Sequence, residues 1–291
     1  MVRSKIKYKS PADRIFGAAI VLISILVFAI VAYPLWFVLI ASVSNSNLVN
    51  LGKVTIFPKD IRFYGYQQVF QDARIWRGYL NTIIYVVLGT LLNMAVTMPA
   101  AYALSRPDFK GRGKIMFYFV FTMFFSGGLV PLYMTISSLG LISTRKILIT
   151  IVAVNTYNLI IARTFIESSI PNDLYEAAVI DGCSHFKYFF KVVMPLSKAV
   201  AAVLVLYYAV FHWNDFFNAL MFNSNNKFEP LQIVLRRILL LNEAFASGSG
   251  AVGGGYAQSS ADQVKYAVII VSTLPILCVY PFIQKYFEKG L

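Results

Sequence analysis

At 291 residues, 58% of them hydrophobic and only 13% charged, the chain is too apolar for a soluble domain, which carries roughly half apolar and a quarter charged residues. Its formal charge of +13, from 26 Lys and Arg against 13 Asp and Glu, would suit nucleic acid in a soluble protein. Here the basic residues cluster beside hydrophobic runs, where topology and anionic lipid head groups account for them, so the composition implies a polytopic membrane protein and no nucleic-acid partner.

Taken in order, residues 1–14 form a basic tail with Arg3, Lys5, Lys7, Lys9 and Arg14. A charge-free run from Ile15 to about Ser42 follows, long enough to cross a bilayer with some tilt and too long for the core of a removable signal peptide. Residues 43–78 read as a polar loop, with Trp76 and Tyr79 placed where an interfacial aromatic belt would put them. A second span is expected over about Tyr79–Leu104, a basic turn around Gly111 and Gly113, and a third span to about Ser138. Ser126-Gly127-Gly128 and Pro131 interrupt that third span, a break tolerated where other helices or a cavity satisfy the freed backbone. A fourth span is expected over about Ile147–Ala162, a fifth over about Leu196–Phe222, a long polar loop over about 223–264, and a sixth span over about Val264–Gln284. Pro34, Pro99, Pro275 and Pro281 should kink or end their helices. Alternating sides puts 15 of the 26 Lys and Arg on the face that holds both termini, the sign of an inward-facing N- and C-terminus. Cys183 and Cys278 lie too far apart in sequence and setting to suggest a disulfide or a metal site.

The most informative stretch is polar and lies between the fourth and fifth spans, from Glu176 to Lys198. Pro171 suits a first helical turn, Asp173 and Glu176 favour the positive end of a helix dipole, and Ala177 and Ala178 propagate a helix with little bulk. Gly182 should end it in a left-handed turn. Ser184 can cap a second short helix carrying Phe186, Phe189, Phe190 and Val193 at helical spacing, which Pro195 should stop. The expected product is a helix, a glycine elbow and a helix.

Glu176, Ala177, Ala178, Asp181, Gly182 and Pro195, at this spacing, resemble the EAA loop of the membrane-spanning subunits of ABC importers, and most of all carbohydrate-uptake permeases related to the smaller maltose-transporter permease. Cys183 stands where the family has a small alanine, and Ala199 where a second proline is common. The resemblance covers nearly the whole chain in hydropathy layout. It implies an all-α type I importer permease of six transmembrane helices with both termini cytoplasmic: a first helix and outer loop over 15–75, a transmembrane domain over 76–284, and a cytoplasmic tail over 285–291. It further implies that the loop over about 167–198 is a coupling helix docking into a cytoplasmic ATPase. The implied partners are a second, homologous permease, two ATPase subunits that bind ATP and Mg, and an extracytoplasmic solute-binding protein, all at a bacterial plasma membrane. The chain itself is expected to bind no cofactor and to catalyse nothing. The Gly-rich run within 244–255 carries no Lys-Ser or Lys-Thr of a phosphate-binding loop. It reaches into the binding protein or is a disordered loop tip.

Polar residues at membrane depth are the candidates for a translocation path. Tyr208, His212, Asp215 and Asn218 follow spacings of four, three and three, which places them on one helical stripe. Aromatic rings that stack on sugar faces and amides or carboxylates that bind hydroxyls are what an oligosaccharide path needs. Trp213, Phe216 and Phe217 beside them read equally as interfacial anchors. Asn155 and Asn158 either line the path or bond neighbouring helices. In the outer loop Lys227, Arg236 and Arg237 suit an acidic oligosaccharide, or are solvated, or pair with Glu229 and Glu243. The competing classes are an importer of a non-sugar solute and a secondary transporter, which would be expected to carry ion-coupling carboxylates or an internal repeat.

Overall fold

The computed structural model describes residues 11–246 and 255–287; the N-terminal basic tail, the centre of the Gly-rich outer run and the last four residues lie outside the described residues, as does the side chain of Glu243. Every regular element among the described residues is helical. In chain order these are α1 (Pro11–Val43), α2 (Ser46–Asn50), α3 (Tyr64–Gln71), α4 (Ala73–Ser105), α5 (Arg112–Phe124), α6 (Leu129–Ser138), α7 (Arg145–Thr150), α8 (Thr156–Ser169), α9 (Asn172–Ile180), α10 (His185–Tyr188), α11 (Met194–Leu196), α12 (Lys198–Asn214), α13 (Phe217–Phe222), α14 (Leu231–Ala246) and α15 (Gly255–Phe287). Among the described residues two helices, α1 and α4, are long and apolar enough to cross a membrane unbroken. Two further candidates are bent pairs, α5 with α6 at 115° and α10–α11 with α12 at 83°.

The chain divides into two compact units. The first holds Met1–Gln71 and Leu239–Val271. In it, nearly all of α1 turns apolar side chains outward, which suits a lipid-facing rod. Its C-terminal end is covered: Ile40 and Ala41 pack with Val49 and Val54, and Phe37 meets Tyr266 edge to face. Asn45 caps α2 through its side chain. Its amide also donates to Asp60 at 2.6 Å, and Trp36 Nε1 donates to the Ile56 carbonyl at 2.8 Å. Gly65 lets the start of α3 approach the backbone at Gln263, where an added Cβ would stand 2.6 Å from the Gln263 carbonyl oxygen.

The second unit, Asp72–Ile238 with Ser272–Leu291, is built around α4. Its buried positions include Asn81, Tyr85, Gly89, Asn93, Thr97, Ala101 and Ser105, every fourth residue over six turns. At 3.6 residues per turn, each fourth residue overshoots by about 40°, so the ridge winds round the helix and offers small or polar groups to several partners in succession. The helices α12, α8, α7 and α5 all pack on α4. Its C-terminal half is covered by a core containing Met98, Leu159, Ala162, Tyr188, Leu204 and Tyr208.

Several expectations change. The fourth span is not continuous, because residues 151–155 unwind between α7 and α8. The third span does break at the expected Ser126-Gly127-Gly128, and it turns there by 115°, with Gly128 at φ of +85°. The fifth span ends at Asn214 and restarts at Phe217, so Asp215 and Asn218 do not continue the stripe of Tyr208 and His212. The outer loop is not merely polar. It contains the amphipathic helix α14, which buries Leu231, Val234, Leu235 and Ile238 at spacings of three, one and three, the period of a single helical face. Pro195 does not stop the second hairpin helix. A π turn, Phe189–Val193, precedes it, with the Met194 N–H bonded to the Phe189 carbonyl. The widened turn accommodates a proline ring that has no N–H to give to the ladder, and the 83° bend falls at Ser197.

Candidate functional site

The hairpin α9–α10 forms as its residues dictate. At its C-terminus the Gly182 N–H donates to Val179 O at 2.9 Å and the Cys183 N–H to Ala178 O at 2.8 Å, with Gly182 at φ of +69°. This pair of bonds is the Schellman closure, which places an apolar residue of the next strand of chain against the last helical turn. Cys183 takes that place and, like Ala178, packs on the core beneath, which accounts for a thiol where a small alanine was expected. Ser184 then caps α10 through Lys187 N.

Four of the five motif residues, Glu176, Ala177, Asp181 and Gly182, are exposed on this hairpin, whereas Ala178 is half-buried. The outward face is therefore not the pair of alanines. It is Ala177 framed by Leu174, Val179 and Ile180, with Ile180 86% exposed, and it carries Phe186 and Phe190 in edge-to-face contact on the second arm.

The root of the hairpin is tied to the end of α4. Arg106 donates to Asn172 Oδ1 at 3.0 Å and lies 3.5 Å from the Tyr175 ring centroid, and the Asn172 amide donates to Glu176 at 3.1 Å. His185 stacks on Tyr175 and bonds both phenols, Tyr175 through Nε2 at 3.0 Å and Tyr102 through Nδ1 at 3.3 Å. Arg163 and Arg112 converge on Glu167 and also donate to the carbonyls of Leu104 and Ser105, closing the last turn of α4, whose final carbonyls have no partner within the helix.

Further along α4, one asparagine device occurs twice. The amide of Asn93 donates to the carbonyls of Val152 and Ala153 in the unwound segment, which directs its Oδ1 to His212 Nε2 at 2.8 Å. His212 must donate there, so Nε2 carries the proton. Twelve residues earlier, Asn81 donates to the carbonyls of Lys227 and Glu229, both at 2.9 Å, and accepts from Arg145 at 3.0 Å. Tyr85 donates to Phe228 O and Thr82 accepts from Leu231 N. Asn93 thus satisfies carbonyls that the unwound residues 151–155 leave free, and Asn81 does the same for the turn at Lys227–Glu229, as irregular backbone shielded from water requires.

Tyr208 and His212 are 1% and 2% exposed. Tyr208 accepts from Asn155 N at 3.2 Å and shares a 2.8 Å bond with Thr97. Asn155 caps α8 by accepting from Asn158 N. The structure gathers Asn155, Asn158 and Tyr208 around one cavity of about 530 Å³, together with Tyr157, Tyr207 and Phe211. His212, Asp215 and Asn218 are not among its walls. Asp215 instead caps α13, accepting from both the backbone and the side chain of Asn218. In the segment after α13 Arg237 pairs with Glu229, and Arg236 stacks on Phe216 at 4.8 Å. Sequence reasoning missed Asn81, Asn93 and Thr97, although their spacings of twelve and four, both multiples of four, were legible as one ridge along an apolar run.

Comparison with known proteins decides the family. Residues 75–291 match the model of the binding-protein-dependent transport system inner membrane component. The chain belongs to this family. It is therefore a membrane-spanning permease of an ABC-type importer and not a catalytic subunit. Among curated relatives, protein LplC of Bacillus subtilis is 36% identical over 98% of this chain and 95% of its own length. The polygalacturonan/rhamnogalacturonan transport system permease YtcP of the same organism is 37% identical over 91% and 93%. Among solved structures, a chain of a bacterial ABC transporter involved in the import of the acidic polysaccharide alginate superposes with a TM-score of 0.87. It is 32% identical, over 96% of this chain and 99% of that one. The permease thus has the type I importer fold and works within a complex of partner subunits.

Proposed function

We propose that this permease imports oligosaccharides, uronate-bearing ones included, across a bacterial plasma membrane by alternating access. Six spans place both termini inside, with 1–14 and 285–291 as cytoplasmic tails and 76–284 as the transporting domain; the third, fourth and fifth spans are each broken. The hairpin about Glu176, Ala177, Ala178, Asp181 and Gly182 docks into one of two cytoplasmic ATPases, which hold ATP and Mg. A second homologous permease completes the pathway, and a solute-binding protein delivers substrate outside.

The observation that carries the reading is the hairpin: an exposed, Schellman-closed elbow locked through Arg106 and Tyr175 to the end of the helix on which α5, α7, α8 and α12 all pack. Movement of the elbow is passed to α4 and from there, through Asn93 and Thr97, to the unwound segment and Tyr208 beside the cavity. Phenol rings and asparagine amides around about 530 Å³ offer the stacking faces and hydroxyl partners that sugar rings require. The acidic preference is supported by two relatives, one described for polygalacturonan and rhamnogalacturonan and the other for alginate.

The test is ATP hydrolysis by the reconstituted complex with its binding protein, stimulated by trigalacturonate or by maltotriose. Stimulation by trigalacturonate supports the reading. Stimulation by neither saccharide, in a complex that hydrolyses ATP with another class of solute, would overturn it.

A further inference from the structure

The N-terminal end of α4 and the start of α14 enclose a second cavity, of about 180 Å³, whose walls include Arg74, Arg77, Asn226, Glu229 and Arg237. Gly78 lets the two helices meet, since a Cβ there would stand 3.1 Å from the Leu231 Cα, and the close approach brings Arg237 round to face Arg74 and Arg77. Two of the three guanidiniums are engaged. Arg74 is held by Asp72 through Nε and Nη2, and Arg237 by Glu229, whose side chain is 9% exposed. Arg77, one helical turn beyond Arg74, has no carboxylate partner among the described residues. The cavity therefore keeps an uncompensated positive charge, and the positive end of the dipole of a 33-residue helix adds to it.

We propose that this cavity is a carboxylate-binding subsite, with Arg77 as the residue that takes a uronate group of an incoming oligosaccharide; the proposal rests on the acidic-saccharide reading above. A guanidinium presents paired N–H donors that match a carboxylate in two-point geometry. Asn226 offers an amide to the sugar hydroxyls beside it. The larger cavity about Tyr208 has no charged residue among its walls, so of these two cavities it is the Arg77 site that offers a counter-charge to a uronate carboxylate. A concave, one-charge site fits a single acidic sugar better than it fits the broad surface of a protein.

The test is binding of trigalacturonate, and of its neutral trimethyl ester, to the purified permease–ATPase complex in nanodiscs without the binding protein. Arg77→Gln is expected to raise Kd for the acid about tenfold and leave the ester unchanged; Arg77→Lys is expected to recover part of the loss, and the wild-type preference for the acid to shrink at high salt. An equal shift for acid and ester, or none, in a complex that does bind trigalacturonate overturns the subsite alone, as does an unchanged Kd with weakened capture of the binding protein. A wild-type complex that binds only neutral saccharides overturns the acidic reading and the subsite with it. Arg77 is exposed, so an unchanged thermal midpoint is expected and separates lost binding from lost folding.

Discussion

The guanidinium of Arg106, the residue that closes α4, lies over the ring of Tyr175 in α9 at 3.5 Å while its Nη1 bonds Asn172 at 3.0 Å. One side chain thus grips two successive turns of the hairpin from the end of the longest packed helix in the second unit. A cation over an aromatic face contributes about 1–2 kcal/mol where partly desolvated, and the hydrogen bond fixes its direction. Arg106→Ala is expected to leave ATPase subunits bound to the permease but to cut substrate import about tenfold relative to ATP hydrolysis. Arg106→Lys should retain the charge and lose the planar stacking, giving an intermediate ratio. Import and hydrolysis measured on the same proteoliposomes check this, and an unchanged ratio in both variants would show that force reaches α4 by another route.

Gly182 sits at φ of +69° with open space around an added Cβ, so a substitution there meets backbone strain and no steric wall. Gly182→Ala should cost about 1 kcal/mol and weaken coupling mildly, Gly182→Asn less than that because asparagine tolerates the left-handed region. Gly182→Asp adds a charge to the exposed tip; membrane insertion should persist while ATPase subunits no longer co-purify. Normal transport by the Asp variant would contradict the docking role.

How far the sequence reveals this arrangement depends on where the determinant of each feature lies. The hairpin was legible because its causes are local: a glycine for the left-handed turn, a serine cap and Pro171 at the start of the first arm. The helix α14 was legible in principle, since Leu231, Val234, Leu235 and Ile238 keep helical spacing, but Arg236, Arg237 and Glu243 dilute its hydropathy and the segment reads as a polar loop. The unwinding at residues 151–155 was not legible. Ile147–Val154 is an apolar run without proline or glycine, and what opens it is tertiary, the amide of Asn93 taking the carbonyls of Val152 and Ala153. The break at Asp215 differs in kind, because its cap is local: Asp215 accepts from Asn218 N three residues on, a signal the continuous run of apolar and aromatic neighbours obscures.

That dependence gives a prediction for Asn93. Replacing it with Leu leaves two buried carbonyls and one histidine nitrogen without partners, each costing about 1–3 kcal/mol if nothing replaces the bond. Asn93→Leu should lower the thermal midpoint of the detergent-solubilised complex and speed hydrogen exchange at residues 151–155 more than elsewhere. Exchange that rises uniformly would mean the asparagine supports the fold as a whole and not this segment.

Gly89 and His212 form a second test of the same crossing. A Cβ on Gly89 would fall 2.3 Å from His212 Nε2, and the ring is buried and bonded to Asn93, so it cannot swing aside without losing that bond. Gly89→Ala should cost about 1–3 kcal/mol through overpacking. In the double variant Gly89→Ala with His212→Ala the clash is absent, and the combined loss should be smaller than the sum of the single losses. Additive losses would place the strain elsewhere.

At the other end of α4 the expected effect depends on pH. Asp72 caps the helix by accepting from Arg74 N at 2.8 Å and pairs with the same residue's guanidinium. Hydrogen bonding from the Arg74 side chain holds the carboxyl below its usual 3.8, against an opposing contribution from burial. The folded protein therefore binds the proton less readily than the unfolded chain, so the contribution is complete above the ordinary carboxylate value and is lost as pH falls through the lowered one. Asp72→Asn keeps the cap and loses the charge. At pH 7 it should be less stable than wild type by at most about 1 kcal/mol, as for a largely solvated pair, and the two midpoints should converge as the pH drops below about 4. A gap that persists unchanged into acid would assign the effect to shape and not to the ion pair.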